Sequence, residues 1–289
     1  MKKRSVPLAV KLIRTSIRVL GILAPGLAAS WVYKLWFSTP RFAEPARERR
    51  WREQAQLQYL EIDGDRIAVY RWGDDTQPCV YLVHGWSGRG AQLGAFVKPL
   101  NKLGYTVVSF DALGHGLSSG KSANIFKITS HLQAITRHFG EPAHIIAHSF
   151  GCMVSALLIR KYKLMPDSLV TISSPTRAEY LLELFTGALQ LSDKVKENFN
   201  RKLTHDFGDN VYQEIAADEN LRGNPLRAMI VHDKQDDEVN WEYSQKLVNV
   251  MPNAQSLYTD GLGHRRILRD KQTVSKIVKF IAGENNSSG

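Results

Sequence analysis

From residue 57 onward, short apolar runs closed by turn residues alternate with longer amphipathic stretches. Segments 57–62 and 66–70 alternate apolar and polar positions about Asp63-Gly64-Asp65, which predicts an antiparallel hairpin. Continuous apolar runs predict strands at 79–83, 106–110, 143–148, 168–173, 226–231 and 255–259. Between them, the periodicity predicts helices at 89–103, 124–139, 150–163, 241–250 and 269–282. Strands joined through helices of this length need right-handed parallel crossovers. The expected class is therefore α/β, an open, mostly parallel sheet with helices on both faces. The alternation lapses once, over 176–223, which reads as a helical insertion containing Tyr180-Leu181-Leu182-Glu183-Leu184-Phe185.

The first forty residues carry a different pattern. Arg4, Lys11, Arg14 and Arg18 fall on one stripe of a helix, with Ala9, Leu12, Ile13, Leu20 and Leu23 on the opposite side. Residues 19–33 are uncharged, and Trp31, Tyr33, Trp36 and Phe37 cluster around Lys34. The uncharged run is shorter than the ~18–20 apolar residues of a membrane span and is broken by Pro25-Gly26. Six basic residues precede it and six follow within 34–52, which leaves no orientation bias. Lys11, Arg14 and Arg18 interrupt what a secretory signal would keep apolar. Three arrangements remain open. One is an amphipathic element in a membrane interface, its basic side chains toward lipid phosphates and its aromatics at headgroup depth. The others are helices packed on the body with a solvated basic face, and a true span. Residues 40–52, charged and holding Pro40 and Pro45, read as a linker.

Charge sharpens this division. The net +10 is concentrated in residues 1–58, which hold 12 Lys/Arg against 3 Asp/Glu, while residues 59–289 stand at 26 against 25. A nearly neutral body argues against nucleic acid as a partner, and no nucleic-acid-binding motif occurs in the basic arm. The expected partners are instead a small substrate and, through the arm, an anionic membrane surface. The two cysteines, Cys79 and Cys152, lie in or beside apolar elements and form no metal-binding pair. They permit a reducing compartment, so the expected location is cytoplasmic, peripheral at the membrane. No cofactor or metal motif is visible.

Chemistry is most concentrated at Ala147-His148-Ser149-Phe150-Gly151, directly after the apolar His144-Ile145-Ile146. A serine hydroxyl is a poor nucleophile at neutral pH and needs exposure and a base. A sharp strand-to-helix turn lifts the side chain clear, and it tolerates only small residues two before and two after the serine. Ala147 and Gly151 meet that need. Other predicted strands end in His84-Gly85-Trp86-Ser87-Gly88, in Asp111-Ala112-Leu113-Gly114-His115-Gly116, and in His232-Asp233-Lys234-Gln235-Asp236-Asp237-Glu238-Val239. Asp260-Gly261-Leu262-Gly263-His264-Arg265 follows. This order of nucleophile, acid and histidine, with these loops, resembles the α/β-hydrolase superfamily over roughly residues 59–282.

The resemblance implies a serine hydrolase acting on a carboxylic ester or thioester, with Ser149 as nucleophile and His264 as base. Spacing in the family picks Asp236 as the acid, with Asp237 the alternative, and the backbone N–H groups of Trp86 and Phe150 as oxyanion donors. Asp111 and His115 match a loop that is structural in the family, and the insertion matches a cap over the site. The expected organisation is thus a basic arm and linker at 1–58, a core at 59–175 and 224–283, a helical cap at 176–223 and a disordered tail at 284–289. Acyl transfer by the same residues and a catalytically silent interaction protein are the competing readings. The serine excludes the aspartate-dependent chemistries of this fold.

Overall fold

The computed structural model describes residues 8–283, so Arg4 of the basic stripe and the 284–289 tail lie outside the described residues. Eight strands form one sheet in the order β1-β2-β4-β3-β5-β6-β7-β8. β1 (Gln56–Ile62) and β2 (Asp65–Trp72) are the antiparallel hairpin, and β2 also runs antiparallel to β4 (Thr106–Phe110). The remaining strands, β3 (Cys79–Val83), β5 (Pro142–His148), β6 (Ser168–Ile172), β7 (Arg227–Asp233) and β8 (Ala254–Thr259), continue in parallel from β4. Every residue of β3, β4 and β6 is buried, which explains why these strands read as unbroken apolar runs. On one face Val80, Leu82, Ile146, Val170 and Val231 pack with Leu93, Phe96 and Leu100 and with Ile277 and Phe280 of the helix Lys271–Ile281.

Two expectations change here. The helix expected over 89–103 is a 3-10 segment, Gly90–Phe96, followed by a short α-helix, Val97–Lys102. Pro99 cannot donate to a carbonyl four residues back, so it is accommodated only in the first turn of a helix that starts afresh. The expected linker contains a helix, Ala46–Glu53, fixed to the core. Its Trp51 ring lies on Gly94 so closely that a Cβ there would meet it at 2.4 Å, and the Trp51 carbonyl accepts from Trp72 Nε1 at 2.9 Å. Arg52 makes a two-pronged pair with Glu44 at 2.9 and 3.1 Å, which absorbs charge that otherwise reads as solvated linker.

The chain divides into two compact units. One comprises Thr39–Arg177 and Ile215–Gly289, and contains the sheet. The other combines the residues up to Ser38 with Ala178–Glu214. The N-terminal helices Leu8–Leu23 and Pro25–Trp36 therefore share a core with the insertion helices Ala178–Leu189 and Asp193–Phe207. This departs from the expected division into a separate arm and cap. Ala28 and Ala29, fully or almost fully buried, let the backbones approach, and Ile17 and Val32 pack with Val195, Phe199 and Leu203.

The aromatics expected at headgroup depth belong to this core. Trp36 meets Phe185 at 5.1 Å, Phe37 meets Phe207 at 5.6 Å, and the Tyr33 hydroxyl donates to Asp206 at 2.6 Å. The apolar residues of the first helix do not share one face either. At ~100° per residue, Leu8, Leu12, Val19, Ile22 and Leu23 fall in one sector, and Ile13, Ile17 and Leu20 lie opposite. The second set is packed, whereas Leu8 (73 %), Ile22 (76 %) and Leu23 (77 %) are largely exposed. Among the described residues, no helix is long and apolar enough to cross a membrane.

Candidate active site

β5 ends at His148 and the helix Phe150–Tyr162 begins two residues later, leaving Ser149 to make the turn alone. Its backbone sits at φ 53°, ψ −124°, a region that costs an L-residue on the order of 1–3 kcal/mol. Neighbouring bonds hold it there: Ser149 N–H donates to Ile172 O at 2.8 Å, and Cys152 N–H donates to Ser149 O at 2.9 Å. Gly151 is obligatory, because a Cβ would stand 2.4 Å from the Val83 carbonyl oxygen and 2.6 Å from that of His84. The helix start thus lies directly against the backbone that ends β3.

Asp236 and His264, remote in sequence, meet beyond the ends of β7 and β8. His264 Nδ1 donates to Asp236 Oδ2 at 2.8 Å, which leaves Nε2 as the unprotonated nitrogen of a neutral ring. The Asp236 carboxylate is fully buried, and its other oxygen accepts the N–H groups of Glu238 and Val239, each at 2.9 Å. Burial alone would raise its pKa. The hydrogen bonds from His232, His264 and Val239 outweigh that and hold it well below the usual carboxylate range. Asp237 is exposed. Among the described residues, no hydrogen bond joins Ser149 Oγ to His264.

Three residues to which the sequence assigned no role complete this arrangement. His232 is fully buried, with Nε2 3.0 Å from Val239 O and 3.2 Å from Asp236 Oδ2. Both are acceptors, so Nε2 carries the proton and Nδ1 accepts from the Ser244 hydroxyl. Asp233 accepts from Thr259 Oγ1 at 2.6 Å and from Leu262 N–H at 2.9 Å, which ties the end of β7 to the turn that carries His264. His148 donates from Nε2 to the His264 carbonyl at 3.0 Å. The sharp turn at Ser149 brings the strand end under that loop. In sequence, the only available signal for these roles was position at a strand's carboxyl end.

The loop after β3 is held by His84, whose Nε2 accepts from Ala112 N–H at 3.0 Å and whose Nδ1 faces the Gly85 carbonyl at 2.7 Å. Gly88 N–H also donates to that carbonyl, at 3.0 Å. In a trans peptide C=O and N–H point opposite ways, so fixing the Gly85 oxygen directs the Trp86 N–H away from His84 and Gly88. The Phe150 N–H, first in its helix, has no intrahelical acceptor. The Trp86 and Phe150 rings meet edge-on at 5.1 Å, and a Cβ on Gly85 would lie 2.9 Å from Ser149 Cβ. Asp111 is an organising residue that accepts from Tyr70 OH, Gly90 N–H and Leu117 N–H at 2.6–2.7 Å.

Burial pushes His84 down to about 4, and burial together with the neighbouring His84 ring brings His115 to about 4 as well. An unfolded histidine titrates near 6.5, so between pH 6.5 and 4 the unfolded chain binds more protons. Stability should fall across that window as pH is lowered, by on the order of 3 kcal/mol for each histidine. Urea midpoints at pH 7 and pH 4.5 measure this, and an unchanged midpoint would contradict it.

The chain matches the family model of the alpha/beta hydrolase fold over residues 78–274 and belongs to that family. Its relatives include the lysophosphatidylserine lipase ABHD12 of Danio rerio, 26% identical over 208 residues, covering 66% of this chain and 54% of that protein. A monoglyceride lipase homolog of Monkeypox virus is 23% identical over 149 residues, covering 48% of this chain and 54% of that protein. The chain thus spans about half the length of these curated relatives. Among solved structures, a putative lipase from Acinetobacter baumannii shares the fold at TM-score 0.63 and 18% identity, covering 86% of this chain and 99% of that one. A membrane phospholipase A does so at TM-score 0.62 and 15% identity, covering 97% and 98%.

Proposed function

We propose that the protein is a serine hydrolase that cleaves a carboxylic ester or thioester through an acyl-enzyme on Ser149. The observation that carries this reading is the strained backbone of Ser149 at the strand-to-helix turn, a cost that folding alone gives no reason to retain. In the first half-reaction, His264 Nε2 takes the hydroxyl proton as Oγ bonds to the carbonyl carbon. The carbon–oxygen or carbon–sulfur bond then breaks, and the same proton passes to the departing alcohol or thiol. Water repeats the sequence to release the acid. Asp236 keeps the proton of His264 on Nδ1 and stabilises the imidazolium that forms. The N–H groups of Trp86 and Phe150 receive the oxyanion, each such donor being worth ~3 kcal/mol of barrier. A burst of p-nitrophenol from a short ester, with an intact-mass increase of one acyl group on Ser149, is the expected result. Turnover without any covalent adduct would overturn the reading.

The same reading includes a membrane-facing role for the helix Leu8–Leu23, now assigned to a different face from the one the aromatics suggested. Leu8, Leu12, Val19, Ile22 and Leu23 form its exposed apolar sector, and exposed Lys11 and Arg18 border it along one edge. Burying a Leu or Ile side chain is worth ~1.5–3 kcal/mol, so five together suffice for peripheral attachment, with the cations toward anionic headgroups. The protein should co-sediment with phosphatidylserine-containing vesicles, less so at high salt. Leu12→Glu with Leu23→Glu should stay in the supernatant. Equal sedimentation of both proteins would remove the assignment.

A further inference from the structure

A cavity of ≈ 160 Å³ opens between the helix Ala46–Glu53, the turn after β3 and the turn after His264. Its walls include Ser87 and Gly88, which follow Trp86 in the chain, and Arg265, which follows His264. Four arginines line it, Arg47, Arg89, Arg265 and Arg269, against the single acidic residue Glu48. That carboxylate is shared between Arg89 and Arg47, each at 3.5 Å, and its side chain is 8% exposed. Arg265 pairs with Glu238 at 3.0 Å.

Arg269 has no carboxylate within 4.0 Å among the described residues, and its side chain donates to the Arg265 carbonyl at 3.3 Å. Burial lowers its pKa, and repulsion from Arg47 and Arg266 adds to that, with Glu48 opposing. The cavity therefore holds more cationic charge than its own acids neutralise. A tetrahedral group with three anionic oxygens can accept from several guanidinium forks at once, which a planar carboxylate with two oxygens does less completely. The volume admits a phosphoryl group.

We propose that this cavity binds a phosphate group carried by the substrate, so that the enzyme selects phosphate-bearing acyl esters or thioesters over neutral ones. The selection of a substrate rests on the serine-hydrolase reading, whereas binding of phosphate does not. Two carriers share the chemistry, a glycerophosphate headgroup and a phosphorylated nucleotide.

Binding is read calorimetrically on the non-hydrolysing Ser149→Ala protein, with glycerol 3-phosphate and with adenosine 3′,5′-bisphosphate as probes. At least one should bind, more weakly as salt rises, and the tighter of the two identifies the carrier. Arg269→Gln should weaken it about tenfold, and so should Arg47→Gln, a side chain 48% exposed whose replacement leaves the core untouched. In the active protein, the ratio of kcat/KM for 1-acylglycerol 3-phosphate, or for an acyl coenzyme A, over the matching 1-acylglycerol should fall by a similar factor in both variants. Failure of both probes to bind, or binding indifferent to both arginines, overturns the proposal. Binding that survives in a protein hydrolysing no ester overturns the hydrolase reading and leaves the phosphate site standing.

Discussion

Ser149→Ala should abolish burst kinetics and covalent labelling by a fluorophosphonate, and should reduce kcat by about 10⁴-fold or more. The hydroxyl is the only atom removed, and no hydrogen bond of the described fold uses it, so the urea midpoint should move little. Alanine leaves the backbone turn intact, with Ser149 N–H to Ile172 O and the Gly151 approach preserved in kind. Under the proposed mechanism, whatever rate remains comes from substrate binding and the Trp86 and Phe150 donors, and it cannot pass through an acyl-enzyme. Undiminished labelling of the purified variant would place the nucleophile elsewhere.

Asp236→Asn should cost kcat/KM about 10⁴-fold, whereas Asp237→Asn should change it by no more than about twofold. The asymmetry follows from hydrogen placement. Asp236 Oδ2 receives both His264 Nδ1 and His232 Nε2, and Oδ1 receives two backbone N–H groups, so an amide NH₂ meets donors in either orientation. If the NH₂ turns toward His264, the imidazole proton moves to Nε2, the nitrogen that must accept from the serine. Asp237 is exposed and touches neither ring. Equal losses in the two variants, or a larger loss for Asp237→Asn, would assign the acid to the wrong residue of the loop.

The contrast between these neighbours bears on what the sequence can disclose. The bounds of β3 and β4 were legible because buried parallel strands carry apolar residues at every position, and Asp236 and His264 were legible as polar residues in turns beyond strand ends. Sequence left Asp236 and Asp237 unseparated on their own residues, because that choice depends on which side chain the turn at Val239 directs inward. The helix Ala46–Glu53 was not legible, since Gly94, Trp72 and the Glu44–Arg52 pair hold it, and its own apolar periodicity does little. His148 and His232 were invisible for a related reason. A histidine at a strand end looks the same whether it faces packing or another ring's carbonyl. Periodicity also could not divide the first helix into a packed and an exposed face, because both are apolar.

The shared core of the N-terminal and insertion helices has a consequence for how the chain comes together. Val32 and Phe199 meet in one cluster although most of the sheet is synthesised between them. At ~5–20 residues per second, the first two helices wait roughly 10–30 s on the ribosome before their partners emerge. During that interval Ile17, Ala28, Val32 and Trp36 have no native surface to cover them. Nascent chains stalled before residue 178 should therefore be held by chaperones, or settle early on a lipid surface, while those stalled beyond residue 207 should not need either.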